Sequence, residues 1–596
     1  MASTAPSAFP APAPPVESPV RSRGRSFAGA LALLTIVSLS LVIVVACADH
    51  ASPLTPSSNP YWYPRWLAGP FGAVLPSLTR DGKTLEDIFT FGLLAMYAAY
   101  VVAIATVPSL RARWAILAIV AVHVVFLLSP PLSLTDVFNY INYGRMDIVY
   151  HLNPYATIPT LEPHSDLAFV LSNWHELQSP YGPLFTLLTF IIVPLGVVGA
   201  FWAVKGILML ASFGIILLVW KSARLLGRDP VRAIVFVGLN PVVLVFGLGG
   251  DHNDFITIFF VMLGVYLLLR VRHAALDARG EPLDEEERVH VGEGNPPAAA
   301  PANGRRAWLP VGLREAFVDA RGRAVAGATA SGLVASPAGA SGPASGTIVG
   351  PPPRTTVGGP VTRRRRWPSS GDGAGARGHL WAWVWPLTPL EIAAGAALVV
   401  ATGLKASAAV IIPVALCALR PAPRRIVQVL IGMAITALLI ALASYAAFGA
   451  HIPDLSTQTR LVTNESLPNV LGFLLGLGGE GPTMQRVVQL VLVLAVAGAC
   501  AFAWRRHELL RPAAWATVAL LVTLSWVLPW YILWLLPLVA LARSKALVRV
   551  SLVLGLYLLV VWVPIAGSWY RDIGFSPGST KLGQQHAYEV KQLLDY

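Results

Sequence analysis

Ser133-Leu134-Thr135-Asp136-Val137-Phe138-Asn139-Tyr140 opens, and Ser179-Pro180-Tyr181-Gly182-Pro183-Leu184 closes, a polar stretch set between apolar runs that can only be membrane helices. A carboxylate just past a helix end, followed by a segment rich in Tyr, Asn, His and Trp, is poor material for a passive connection. The stretch reads as an active-site loop lying on a bilayer.

Composition agrees. Of 596 residues 55% are hydrophobic and 13% charged, which excludes one soluble core and indicates an integral membrane protein. The formal net charge of +13 looks like a nucleic-acid signal until the arginines are located. Most lie in short loops or in one long polar linker, where they set topology instead. Cys47, Cys417 and Cys500 are far apart and within or at the ends of apolar runs, so neither a disulfide framework nor a CxxC metal site is indicated.

Placing basic loops in the cytoplasm orders the chain. Residues 1–26, Pro/Ala/Ser-rich and ending in Arg21, Arg23 and Arg25, read as a disordered cytoplasmic tail before a signal-anchor helix over 27–46. Val44-Val45-Ala46-Cys47 matches a lipoprotein cleavage box, but the apolar run is longer than a signal-peptide core. Residues 49–87, with Trp62, Tyr63 and Trp66, are then external. Helices over 88–107 and 114–130 deliver Asp136 to the outside, where residues 131–183 form the catalytic loop. Counting both apolar runs of 184–220 as spanning would put Lys221, Arg224 and Arg228 outside. The better reading lays 184–198 in the outer interface and lets 201–220 span.

Helices over 232–249 and 255–270 flank Gly250-Asp251-His252-Asn253-Asp254 on the face of Asp136, completing an N-terminal membrane module, 27–272. Residues 273–380, with Glu285 to Glu287 and Arg363 to Arg366, read as a disordered cytoplasmic insert whose arginines contact anionic lipid. The C-terminal membrane module, 381–566, holds a tight hairpin at Gly403-Leu404-Lys405, spans over 426–448, 486–504 and 547–564, and a second hairpin at Trp526 to Tyr531. An external tail, 567–596, follows. The expected architecture is an all-α polytopic protein of about 13 transmembrane helices with an extracytoplasmic catalytic loop. Hairpin legs of about 12 to 16 residues reach roughly 18–24 Å against a core of about 30 Å, so their tips sit at membrane depth.

Three polar clusters thereby converge on one face: the Asp136 loop, the 251–254 turn and Lys405. A carboxylate base, a buried lysine and aromatic rings at a membrane surface suit sugar transfer from a lipid-linked sugar phosphate. No nucleotide-binding motif is present. Each residue also has a plainer reading. Asp136 caps a helix, Lys405 snorkels to an interface, and the 251–254 residues cap the next helix or are solvated. Tyr140, Tyr143, Trp174, Trp526 and Trp530 form an aromatic belt, and Pro154 and Pro180 to Pro183 shape the loop. On the functional reading Asp136 is the general base. Lys405, Arg145, His252 and Arg460 are candidate contacts of the donor phosphate. Tyr140, Tyr143, Asn153, Tyr155, Trp174, Tyr181, Asp251, Asn253 and Asp254 are candidate substrate contacts. Two carboxylates and a histidine do not define a coordination sphere, so no metal or other cofactor is expected.

Leu134-Thr135-Asp136-Val137-Phe138, Gly144-Arg145, Asn153-Pro154-Tyr155, Trp174, Pro180-Tyr181-Gly182-Pro183-Leu184, His252-Asn253-Asp254 and Gly403-Leu404-Lys405, taken in this order, resemble the polyprenyl-phosphate-mannose-dependent mannosyltransferases of the GT-C superfamily. In particular, they look like the actinobacterial-type enzymes that build the α-1,6-mannan backbone of lipomannan. The resemblance covers the membrane portion and not the insert. It implies a GT-C fold, an acidic residue in the first large catalytic external loop, carried onto Asp136, and a decaprenyl- or similar polyprenyl-phosphate donor. It also implies a mannan or lipoglycan acceptor and a multi-pass location in the cytoplasmic membrane. Relatives that act on lipid pyrophosphates have Asp-x-Asp or Asp-Asp, whereas Thr135 and Val137 flank Asp136, which disfavours a metal-bound pyrophosphate. Alternatives are another polyprenyl-phosphate sugar, α-1,2 linkage, or a lipid-linked sugar flippase or transporter. A transporter should show internal repeats with paired broken helices, and none is clear.

Overall fold

Apolar segments separated by Pro, Gly and Arg turns fold here as helices and nothing else. The computed structural model describes residues 19–48, 64, 66–72, 74, 82–132, 135–279, 388–420, 422–454 and 456–594, and no strand occurs among them. Ser133, Leu134, Trp62, Tyr63, the side chains of Arg21 and Arg23, and the part of the insert with Glu285 to Glu287 and Arg363 to Arg366 lie outside the described residues. All described residues belong to one compact unit, in which the two membrane segments pack together.

Helix α1 (Pro19–Cys47) starts earlier than the expected 27 and packs along α2 (Gly82–Thr106) and α3 (Ala112–Leu127). The loop expected over 131–183 is itself built: α4 (Asp136–Tyr150) and the short α5 (Leu167–Leu171) carry it, and α6 (Pro183–Ile192) returns it to the bundle. A break at Pro194 and Gly196, whose φ is +68°, separates α6 from α7 (Gly196–Leu225). Ten residues of α6 reach only about 15 Å, too short to cross by themselves. The expected helix over 232–249 is not continuous. It divides into α8 (Pro230–Gly238) and a π-helical turn (Val243–Leu248), because Pro241 has no N–H to continue a helix. The Asn240 side chain restarts the chain by accepting from the Val242 and Val243 amides at 3.1 and 3.2 Å.

Helix α9 (Asp254–Arg279) runs past the expected insert boundary at 273 and packs on α7 and on α10 (Pro389–Leu404). The chain turns at Lys405, and α11 (Ile411–Ala418) leads to α12 (Pro423–Phe448), which lies beside α10. Two glycines set that contact: a Cβ on Gly395 or Gly432 would lie 2.1 Å from the Val429 or Ile392 carbonyl oxygen. Small residues permit this backbone approach between membrane helices. Beyond come α13 (Ser456–Arg460), α14 (Leu467–Leu474), α15 (Pro482–Arg506), α16 (Leu510–Thr523), α17 (Leu536–Leu541), α18 (Lys545–Trp562), α19 (Ala566–Asp572) and α20 (Lys581–Lys591).

Among the described residues seven helices are long and apolar enough to cross a membrane, and five shorter apolar helices accompany them. The expectation of about thirteen spans counted such short pieces as well. Helices α12 and α15 turn Leu438, Leu439, Leu442, Leu490, Val493 and Leu494 outward. Apolar residues on an outer surface this continuous are what a lipid-facing helix presents. The protein is an all-α polytopic membrane protein.

Candidate active site

Asp136 begins α4. Thr135 is the N-cap residue but makes no side-chain capping bond, and the Asp136 carboxylate, in the first turn, is complemented by the positive helix end. It is turned toward the 251–254 turn, where His252 Nδ1 lies 3.3 Å from Asp136 Oδ2. The His252 ring is stacked on Trp530 at 3.3 Å between centroids and 7° between planes. Its buried Nε2 has no partner among the described residues, and neither does the buried Asn253 Nδ2.

One turn along α4, Asn139 fastens the loop. Its Oδ1 accepts from the Asn173 and Trp174 amides, both at 3.1 Å, and its Nδ2 donates to Asn173 Oδ1 at 2.9 Å. Tyr143 Oη donates to the Leu177 carbonyl at 2.8 Å. The far end of the loop is locked to the lysine hairpin, since the Gly182 amide donates to the Leu404 carbonyl at 3.2 Å. A Cβ on Gly182 would lie 2.1 Å from the Gly403 oxygen. The Pro-Tyr-Gly-Pro and Gly-Leu-Lys motifs are therefore two sides of one contact.

Asp251 and Asp254 both hold lysines, in different places. Lys205 Nζ donates to Asp251 Oδ1 and Oδ2 at 2.9 and 3.2 Å, and both side chains are 1% exposed. Asp251 sits in the left-handed region, φ +58°, which Asp tolerates better than most residues. Lys405 Nζ donates to Asp254 Oδ1 and Oδ2 at 2.8 and 3.0 Å and is 25% exposed. Asp254 also accepts from Trp534 Nε1 at 2.7 Å and Trp530 Nε1 at 3.1 Å. The Lys405 ammonium lies 4.7 Å from the Tyr531 ring centroid and 5.9 Å from that of Trp534, a desolvated cation–π setting.

These groups enclose a cavity of about 620 Å³. Asp136, Tyr140, Tyr143, Trp174, Tyr181, His252, Asn253, Asp254 and Lys405 all line it, together with Trp526, Trp530, Tyr531 and Trp534. Apolar lining comes from Val488 and Leu492 of α15 and Leu520, Leu521 and Leu524 at the end of α16. Val590 and Leu594 at the C-terminal end close it.

Five expected contacts lie elsewhere. Asp251 is behind the wall, committed to Lys205. Arg145 forms an ion pair with Asp166, which also accepts from Tyr150 Oη and the Ala168 amide. Burial works against the Asp166 charge, but these bonds outweigh it and hold the carboxyl below its ordinary range. Asn153 Nδ2 donates to the Phe448 carbonyl at 2.8 Å and ties the loop to α12. Tyr155 Oη bonds to the Tyr181 carbonyl and Thr186 Oγ1, each at 2.8 Å. Arg460 is exposed, although its neighbours Gln458, Thr459 and Leu461 line the cavity. The first four of these side chains are bonded within the fold rather than facing into the cavity.

Sequence reasoning missed Lys205, although an ionisable residue inside an apolar span is itself a signal. It also missed Tyr531 and Trp534, hidden among apolar neighbours in the second hairpin, and Asn139, whose capping work needs a partner 34 residues away. Nearby, Glu162 is buried with neither carboxylate oxygen bonded. Burial, and then the Asp166 charge, push its carboxyl up to about 8 against the opposing pull of Arg145.

Residues 37–280 match the family described as alpha-(1->6)-mannopyranosyltransferase, N-terminal domain, and residues 377–529 match glycosyltransferase family 87. The chain resembles GT-C mannosyltransferases of the lipomannan type. Over 155 residues it is 34% identical to alpha-(1->6)-mannopyranosyltransferase A of Mycobacterium tuberculosis, covering 25% of this chain and 29% of that protein. Over 165 residues it is 28% identical to the protein of the same name from Corynebacterium glutamicum, covering 26% and 32%. The chain thus spans about three-tenths of the length of the curated relatives it matches. No solved structure matches it. The likeness to these mannosyltransferases gives the cavity a chemistry to be tested.

Proposed function

We propose that the protein is an inverting mannosyltransferase. Its donor is polyprenyl-phosphate-mannose, its acceptor is a mannan or lipoglycan, and it forms α-1,6 linkages on the outer face of the cytoplasmic membrane. One observation carries the reading: of the three carboxylates at the junction of α4 and the 251–254 turn, Asp251 and Asp254 are neutralised by lysines and Asp136 is not.

In this scheme an acceptor hydroxyl attacks the anomeric carbon from the Asp136 side. Asp136 removes the hydroxyl proton as the new C–O bond forms, while His252 Nδ1 fixes the carboxylate's orientation. The bond from the anomeric carbon to the phosphate oxygen breaks on the opposite face, with inversion. The leaving phosphate gains negative charge, and the Lys405 ammonium, held by Asp254 and two aromatic rings, stabilises it there. The apolar walls from α15 and α16 suit the polyprenyl chain.

Asp136→Asn keeps the shape and removes the base. In membranes supplied with labelled polyprenyl-phosphate-mannose and a short mannoside, transfer should fall by roughly 10²–10⁴-fold, with expression and insertion intact. Wild-type turnover by that variant would end the assignment. The sidedness has its own measurement: a cysteine at exposed Glu176 should label from outside and one at exposed Arg224 only from inside. Outside labelling at 224 would refute the orientation.

A further inference from the structure

Part of the cavity lining, unlike Lys405, is uncharged: two indoles in mutual contact and several hydrogen-bonding side chains. Trp174 and Trp526 are half-buried, line the cavity and meet edge to face, with centroids 6.2 Å apart and planes at 76°. Asn173, Gln458, Thr459 and Ser525 line the same space. No lysine, arginine, aspartate or glutamate is among these six.

The wall is held from behind by groups that take no part in the reaction as described. Ser525 Oγ donates to Glu480 Oε1 at 2.6 Å, and its carbonyl accepts from the Thr463 amide at 2.9 Å. Glu480 is fully buried, and Asn469 Oδ1 accepts from its amide at 2.8 Å. Burial raises the Glu480 carboxyl above its ordinary range, opposed by its bonds with Ser525 and Ser466. Asn173 is fixed through its Oδ1 and its amide by Asn139.

From these positions we infer that Trp174, Trp526 and the neutral polar groups between them form the acceptor subsite, for a neutral oligohexoside of at least two units. This inference rests on the mannosyltransferase reading and adds where the acceptor lies. An indole face packs against the C–H face of a hexose, and amide and hydroxyl groups bond its equatorial and axial hydroxyls. A phosphate would find no cation here. Asn139, one turn from Asp136 on α4, holds the Trp174 amide, so this wall begins within reach of the base. Asp136, Lys405 and Trp174 line one cavity, so an acceptor hydroxyl held on this wall and a donor phosphate held at Lys405 share the space that the base faces.

The experiment uses the full chain in lipid nanodiscs, with linear α-1,6-mannotetraose as probe. Trp526→Ala should weaken mannotetraose binding, read by saturation-transfer NMR, by roughly 3- to 10-fold, the scale of one lost aromatic contact. Trp174→Phe should lose less. In turnover assays Trp526→Ala should raise the acceptor KM by the same factor while the donor KM stays within about twofold, a split that a general loss of fold would not produce. The benefit of a tetraose over a mannobiose should shrink with it. Mannotetraose binding unchanged in both variants, or a raised donor KM with an unchanged acceptor KM, overturns the subsite. If the wild type binds mannotetraose and Trp526→Ala does not, the subsite stands even where transfer from polyprenyl-phosphate-mannose fails. That failure would count against the proposed function alone.

Discussion

Asp251 and Asp254 stand three residues apart on one turn, each bonded through both oxygens to a lysine, and they do opposite jobs. The Asp251–Lys205 pair is sealed inside the bundle, where Phe201 lies 5.4 Å from the ammonium. The Asp254–Lys405 pair is the wall of the cavity, with two indole N–H groups sharing the carboxylate and a quarter of the lysine exposed. A buried ion pair with no route to solvent fixes a shape. The same pair with one open side offers a positioned charge to a ligand.

Breaking the sealed pair should have the largest effect on folding. Lys205→Met leaves Asp251 buried and unpaired and should cost about 3–5 kcal/mol, read as loss of folded protein in fluorescence-detected size exclusion and a lower melting midpoint. Lys205→Met with Asp251→Asn should regain most of that loss, since Asn tolerates the left-handed backbone. An unaltered midpoint in the single variant would erase the contrast between the pairs.

Breaking the open pair should instead cost function. Lys405→Ala removes a charge-assisted contact of about 1.5–3 kcal/mol, roughly 10- to 150-fold in donor use, while Asp254 keeps its two indole bonds and the fold survives. Lys405→Arg should retain part of the activity. A Lys405→Ala protein that fails to fold but has normal donor use in its folded fraction would reassign Lys405 to the structural class.

The most local effect concerns a third kind of buried carboxyl, Glu162, to which no cation is bonded among the described residues. Its folded pKa, about 8, lies above the ordinary 4.5, so the folded loop binds the proton more tightly than the unfolded one. The stabilisation is complete below about pH 4.5 and is lost as pH rises through 8. Hydrogen exchange of residues 151–182 should accelerate over that window in the wild type, and Glu162→Gln should flatten the dependence. Equal pH profiles would show that Glu162 is solvated.

The sequence made the membrane class, the polar loop and its convergence with 251–254 and Lys405 readable, because hydropathy and basic turns are local signals that also fix which ends meet. It could not separate Asp251 from Asp254, since both are aspartates beside the same histidine and differ only in which helix supplies their lysine. Arg145 failed for the same reason: its partner, Asp166, is 21 residues away and nothing local announces the pair. The break at Pro241 is legible in the sequence, because proline cannot continue a helix, although the hydropathy runs on across it.

Gly182 and Gly403 meet with no room for a single side-chain carbon between them. The loop over 131–183 and the lysine hairpin are thus one fitted joint made from segments more than two hundred positions apart in the chain. An exchange of the loop between this protein and a relative has to be made in pairs. A donor loop with any residue but glycine at position 182 would push the 403–405 backbone aside, and Lys405 would move with it even though the graft never touched the hairpin.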